Sequence, residues 1–342
     1  MSKRHHDHWS RREFLSTAAL AGTGALLGLQ SNSLAAEPPP ETTRIRLNHG
    51  DSICAIPKDL AEELLQGEGF TDVQYVRTVE REGSSAAQAM ATGTVDVSTT
   101  SVHRAIQQID AGDPLVFLSG LHIGCYELFG KDHIRSIRDL KGKSIAVSSL
   151  NSSRHLLLAS MATYVGLDPR KDFKWITDPP AVAMRLFTEG KVDAFFGFPP
   201  EPQELRAKKI GHVVVDTTRD RPWSQYFCCV VAGNREFTRK NPTATKRALR
   251  AILKGIQICA VEPERAARLL VDKGYTKQYD YALQSLKEIP YARWREYDPE
   301  DTVRFYSLRL HEAGLIKSSP PKIIAQGTDW RFLRELKKEL KT

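Results

Sequence analysis

Past residue 36 the sequence has no apolar run approaching about 18 residues, so no membrane-spanning helix is expected in the body of the chain. It also lacks a GxSxG nucleophile elbow, a GxxxxGK[ST] phosphate loop and an HExxH helix, the common signatures of serine hydrolases, P-loop nucleotidases and zinc proteases. There is no repeat of fixed period, which argues against a solenoid or a propeller. No Cys/His spacing of zinc-finger type occurs, and on that basis His49, His103 and His122 read as ordinary polar residues and no metal ligand is assigned.

What is present begins with an arginine pair. Ser10-Arg11-Arg12-Glu13-Phe14-Leu15 sets Arg11 and Arg12 just before the 16 charge-free residues from Phe14 to Leu29. That run is short and diluted by Gly22, Gly24 and Gly28, so it predicts a removable twin-arginine export signal. Ser33 and Ala35 supply the small residues of a cleavage site, so residues 1–36 are expected to leave and the remaining chain to work in the periplasm. No cysteine stands at that junction, which argues against a lipid anchor.

Roughly 300 residues then remain, enough for two domains of ordinary size. The whole chain carries a formal +8; four basic and two acidic side chains belong to the leader, so the rest carries +6. Such an excess suits an anionic ligand or an acidic surface, and it also serves solubility alone. Cys54, Cys125, Cys228, Cys229 and Cys259 are five in number, so at least one is free or pairs between chains.

From Ile45 short apolar strands alternate with amphipathic helices, which predicts an α/β protein with helices on both faces of mostly parallel sheets. Strands are expected at 45–47, 73–76, 95–98, 144–147, 173–176, 192–196 and 212–215. Thr99, Thr100 and Ser101 are expected to cap the next helix, and the sequence after Asn234 is mainly helical. β-rich runs near 115–135 and 225–235 look like crossings between two lobes. Lobe 1 would comprise 43–130 with 233–342, and lobe 2 would be the insertion 131–232, leaving a cleft between them.

Three segments carry a resemblance: Met90–Val97 (MATGTVDV), Ile137–Val147 (IRDLKGKSIAV) and Thr188–Phe195 (TEGKVDAF). In each, a glycine ends a helix or makes a turn and a buried strand follows. In their order and spacing these segments resemble the nitrate, sulfonate and taurine type of ABC-transporter substrate-binding proteins, a group that includes binders of thiamine pyrimidine precursors. The likeness covers most of 43–315. It implies a type II periplasmic binding protein fold, two lobes joined by two crossing segments, and a small-molecule solute delivered to an importer permease.

Ligands of open α/β sheets gather beyond the carboxyl ends of strands. Four loops qualify: His49–Cys54 with Asp51, Ser52 and Cys54; Thr99–His103 with Thr99, Thr100 and Ser101; Asn151-Ser152-Ser153-Arg154; and Phe198–Glu201. The second and third offer hydroxyls and helix-start amides from opposite lobes, suited to an anionic group, with Arg154 as a bidentate donor. Helix capping by Thr100 and Ser152, with Arg154 in solvent, is the competing reading. Glu127 and Glu201 would favour a cationic or zwitterionic solute if they line the cleft, or else they are simply exposed. Tyr126, Phe196, Phe198 and Phe227 either wall the cleft or pack in the core.

Cys54, Cys125 and the Cys228-Cys229 pair fall where the fold brings segments together. Three readings stand: apolar buried thiols, a disulfide between crossings, or a soft-metal or thiol-reactive site. The leading function is a monomeric, non-catalytic solute receptor of an ABC importer, binding a small anionic or zwitterionic solute, with no cofactor and no nucleic-acid partner. The alternatives are a metal- or Cys/His-dependent exported enzyme on the same fold and a solute sensor acting through a membrane kinase.

Overall fold

The computed structural model describes residues 37–50, 52–77 and 86–340. The twin-arginine leader and Asp51 lie outside the described residues. Ten strands run in chain order: β1 (Arg44–His49), β2 (Asp72–Arg77), β3 (Val97–Ser101), β4 (Leu115–Ile123), β5 (Glu127–Gly130), β6 (Ser144–Val147), β7 (Lys174–Thr177), β8 (Ala194–Gly197), β9 (His212–Asp216) and β10 (Phe227–Asn234). The helices that bear on the site are α1 (Val102–Asp110), α2 (Ser153–Tyr164), α3 (Glu201–Ala207), α4 (Pro242–Val261) and α5 (Tyr279–Glu288).

The first sheet system is built from both ends of the chain. β1 and β2 pair in parallel, and β3, β10 and β4 form an antiparallel sheet with β10 in the middle. Asp96 joins the two: its backbone N–H donates to Arg46 O at 2.9 Å, and its carboxylate accepts from the Arg46 backbone N–H and guanidinium. Every residue of β4 is buried, which fits its uninterrupted apolar run LVFLSGLHI under a covering layer of helices. The long helix α4 closes that layer. Its Gly255 lies against Pro57, where an added Cβ would come within 2.1 Å of the Pro57 carbonyl oxygen.

The second system is a five-stranded sheet in the order β7-β6-β8-β5-β9. β6 runs parallel to β7 and β8, while β5 is antiparallel to both β8 and β9, so both sheet systems are mixed where mostly parallel sheets are expected from sequence. The reason lies in the crossings: β5 enters the second system directly from the end of β4, with no helix to return it to a parallel course. Phe129, Phe187 and Phe195 pack a small separate core under this sheet.

The chain passes between the two systems twice, at 124–126 and at 217–226. The first crossing is where the β-rich run predicts it. The second falls earlier than expected, because β10 belongs wholly to the first system. Thr217 binds the two crossings together: its N–H and hydroxyl both donate to Tyr126 O, at 2.9 and 2.8 Å, and its Oγ1 accepts from Tyr126 N–H. Gly124, at φ +63°, is packed so closely that a Cβ there would sit 2.6 Å from Thr218 Cα. Among the described residues, no helix is long and apolar enough to cross a membrane.

Candidate functional site

The loops expected to meet across the cleft do meet, though with different atoms than their composition suggests. β3 runs on through Thr99 and Thr100 to Ser101, so the two threonines are strand residues facing Val231 and Val230 rather than helix caps. Ser101 stands at the N-cap of α1, but its hydroxyl caps nothing and lies 3.4 Å from His103 Nδ1. Ser152 does cap α2, accepting from His155 N–H at 3.3 Å, with Ser153 as the first helical residue. Contact between the two loops falls to the next turn of α1: Arg104 donates to Asn151 O at 2.9 Å and Gln107 Nε2 donates to Asn151 Oδ1 at 3.2 Å.

Arg154 is committed elsewhere. Its side chain is 4% exposed and donates to both oxygens of Glu201, at 2.6 and 2.8 Å, and to Phe196 O. This bidentate pair uses the fork geometry that suits a carboxylate, so the anionic partner expected from a solute is supplied by Glu201 on α3. The reading of Glu201 as an exposed residue is corrected: its carboxylate also accepts from Phe198 N–H, and the guanidinium lies 4.5 Å from the Phe198 ring centre. Tyr126 stacks on Phe196 at 5.2 Å and tilts against Phe198 at 5.8 Å; Tyr126, Phe196 and Phe227 are buried in the core and Phe198 packs against it, so the four follow the core reading.

A second ionic group ties α3 to α5. Arg206 donates to Glu288 Oε2 at 2.6 Å and lies 3.2 Å from Glu127 Oε1, while Gln203 Nε2 donates to the same Glu288 oxygen at 2.9 Å. Glu127 is buried rather than exposed, and burial lifts its carboxyl to about 7 against the opposing pull of Arg206. Around these groups lies a narrow pocket whose lining includes Asp216 from the second system, Cys125, Thr218 and Arg219 from the two crossings, and Ser285 and Ile289 from the first. Arg104 and Gln107 were traceable in principle as an i, i+3 pair one turn past a candidate loop. Arg206 and Glu288, 82 residues apart, carry no sequence signal that links them.

The cysteines converge. Cys54, in the turn Ile53–Ala55 after β1, has its Sγ 4.0 Å from that of Cys229, and Ser52 Oγ lies 3.2 Å from Cys54 Sγ. Cys125 Sγ is 3.1 Å from Cys228 Sγ, and Cys228 Sγ is 3.6 Å from Cys229 Sγ. All five cysteines are free thiols. His122, at the end of β4, is fully buried with Nδ1 3.9 Å from Cys228 Sγ, so it belongs to this group and is no ordinary polar residue. Hydrogen bonds with Cys125, Cys228 and Cys54 hold the Cys229 thiol well below the ordinary thiol range, while burial pushes Cys125 and Cys228 above it. Burial opposes the charging of His122, yet the sulfurs of Cys228 and Cys229 carry it well above its usual value.

The family model described as NMT1/THI5 like matches residues 63–266, more than half of the 342-residue chain. The chain belongs to this family. Solved structures place the fold among periplasmic binding proteins. The nitrate-binding protein NrtA from Synechocystis PCC 6803 superposes with a TM-score of 0.68 at 14% identity, over 89% of this chain and 90% of that one. The alkanesulfonate-binding protein SsuA from Xanthomonas axonopodis pv. citri, bound to MOPS, gives 0.66 at 17%, over 86% and 100%. The aliphatic sulphonate binding protein SsuA from Escherichia coli gives 0.64 at 19%, over 82% and 90%. No curated protein matches significantly by sequence. Family and fold are thus those that the MATGTVDV, IRDLKGKSIAV and TEGKVDAF segments imply.

Proposed function

We propose that this NMT1/THI5-like protein is the extracytoplasmic solute-binding component of an ABC importer, delivering a small solute to a membrane permease. The lobe built on the first sheet system and the lobe built on the second, parted at the crossings 124–126 and 217–226, would close over the solute, and no catalytic residue is assigned. Export through the twin-arginine leader to the periplasm and action as a monomer belong to the same reading. The observation that carries it is the ionic seam between the two sheet systems. Arg206 on α3 reaches Glu288 on α5, and the Arg104 and Gln107 side chains of α1 reach the Asn151 loop, all across a junction linked covalently only at 124–126 and 217–226. Beside these polar contacts Tyr164 of α2 packs on Phe305, 6.0 Å between ring centres, so the junction is part polar and part apolar; two covalent crossings with contacts on either side of them suit lobes that hinge.

The pocket at the seam is lined by Glu127, Asp216 and Glu288 with Arg219, and Arg206, beside the pocket, is paired with Glu127 and Glu288. That balance favours a zwitterionic solute, with a cationic or hydrogen-bond-donating end for the carboxyls, over a simple anion. A thermal-shift panel of amino acids, taurine, alkanesulfonates, nitrate and pyrimidines tests this. A true solute at about 100 times its dissociation constant stabilises the fold by about 2.7 kcal/mol. Absence of any shift, together with scattering profiles unchanged by every compound, would defeat the receptor reading.

A further inference from the structure

The pocket and its ionic seam leave one group of side chains unexplained, the four thiols and the imidazole gathered where the crossings meet the turn after β1. We propose that His122 and the thiols of Cys54, Cys125, Cys228 and Cys229 form a binding site from which one soft closed-shell metal ion takes up to four donors, the chemistry shared by copper(I) and zinc(II). The inference goes beyond the solute reading and does not depend on which solute the lobes hold.

The donor set comes from three separate stretches of chain, which makes it a tertiary assembly rather than a sequence motif. Cys54 is contributed by the turn after β1, His122 and Cys125 by the end of β4 and the first crossing, and Cys228 and Cys229 by the start of β10. The ligand atoms of His122, Cys228 and Cys229 all lie within 4.8 Å of one another, and so do those of Cys54, His122 and Cys125, with His122 shared by both sets. A tetrahedral ion with metal–sulfur bonds near 2.3 Å holds its sulfurs about 3.8 Å apart. The Cys228–Cys229 and Cys54–Cys229 separations of 3.6 and 4.0 Å bracket that value, while Cys125 and Cys228, at 3.1 Å, lie closer and would part on binding. Thiolates and imidazole together select soft ions over magnesium or calcium.

Two further observations separate this cluster from ordinary packing. His122 Nε2 is buried without a hydrogen-bond partner, an unfavourable state unless another group satisfies it. Cys125 is held at φ +109°, a backbone region that side-chain-bearing residues rarely occupy, and this turns its thiol toward Cys228. Four thiols exceed what one disulfide requires. Of the four, Cys125 also lines the pocket at the seam, an opening beside the cluster.

The test uses the full chain without an added histidine tag, purified anaerobically with reductant. Separate samples receive one equivalent of copper(I) or zinc(II), are passed over a desalting column with a competing chelator, and are assayed for metal and for alkylatable thiols. Retention of close to one ion per chain in either arm, with Cys54, Cys125, Cys228 and Cys229 protected from alkylation relative to the apo protein, supports the site and tells which ion it prefers. The Cys228→Ser/Cys229→Ser variant should lose at least tenfold in affinity, while Cys259→Ser should retain it. Failure of folded wild-type protein to retain either ion overturns the proposal, as does equal retention by the double variant. So does recovery of a stable Cys125–Cys228 disulfide that blocks loading. The wild-type assay decides the matter even if the double variant does not fold. Failure of the solute panel alone would leave this result untouched.

Discussion

Arg154 illustrates how a residue chosen for one partner can belong to another. With Glu201 it forms a nearly dry bidentate pair, so removing the cation leaves a carboxylate held only by Phe198 N–H. Arg154→Ala should therefore lower unfolding free energy by roughly 3 kcal/mol in urea titrations. The double variant Arg154→Ala/Glu201→Ala should be less damaged than the sum of the two singles. Additive losses would mean that the pair contributes nothing as a pair.

His155 offers a residue-scale test with a definite sign. Burial alone lowers its pKa from the ordinary 6.5 to about 4, and Nδ1 accepts from Asn151 N–H while the ring packs edge-on to Trp175. The unfolded chain then binds more protons than the folded one below pH 6.5. The stability that His155 gives by staying neutral is complete above that value and is lost as pH falls toward 4, by roughly 3 kcal/mol in all. Unfolding curves from pH 7 to pH 4 should show this slope, and His155→Gln should flatten it. An unchanged slope in the variant would assign the acid sensitivity to other groups.

Among elements, the α3–α5 seam is the decisive contact. Arg206→Ala removes the bond to Glu288 and the counter-charge of Glu127 together. Solution scattering of the variant should show a larger radius of gyration than wild type, and its affinity for any solute found in the panel should drop by about tenfold, roughly 1.4 kcal/mol. An unchanged radius would mean that the seam does not hold the lobes. In contrast, Gly255→Ala should act on the fold alone, because the new Cβ meets the Pro57 carbonyl oxygen at 2.1 Å and α4 must shift. A loss of about 2 kcal/mol in stability with solute affinity intact is the expected outcome.

The elements are also where legibility in sequence can be weighed. Strand and helix identities were readable because apolar periodicity and glycine stops are local signals, as with Gly190 ending the helix before β8. β3 was placed two residues early at its start, and its last three residues were taken for caps, because Ser and Thr serve both at helix starts and in strands. The pairing with β10 decided between these roles. The second crossing was misplaced for a related reason: Gln225–Val231 is β-rich whichever sheet it joins, and only its partners β3 and β4 reveal that it belongs to the first.

At the scale of the whole molecule, the two sheet systems meet through ion pairs, the Tyr164–Phe305 ring contact and two covalent crossings, so a guest held at the seam is expected to change shape as well as stability. The cysteine cluster lies against those same crossings. An ion bound there would tie the turn after β1 to both the end of β4 and the start of β10, all within the first system, and so would brace the base from which the second system swings.

By itself the sequence determined the α/β class, the order of the elements, the family and the neighbourhood in which Cys54, Cys125, Cys228 and Cys229 gather. Each of these follows from local periodicity or from motifs a few residues long. Only the tertiary structure decided which charge meets which. Arg154 finds Glu201 across 47 residues, Arg206 finds Glu288 across 82, and His122 finds Cys228 across 106. The physical reason is that burial and partner choice are set by the path of the chain between the two sheet systems, and no window along the sequence contains that path.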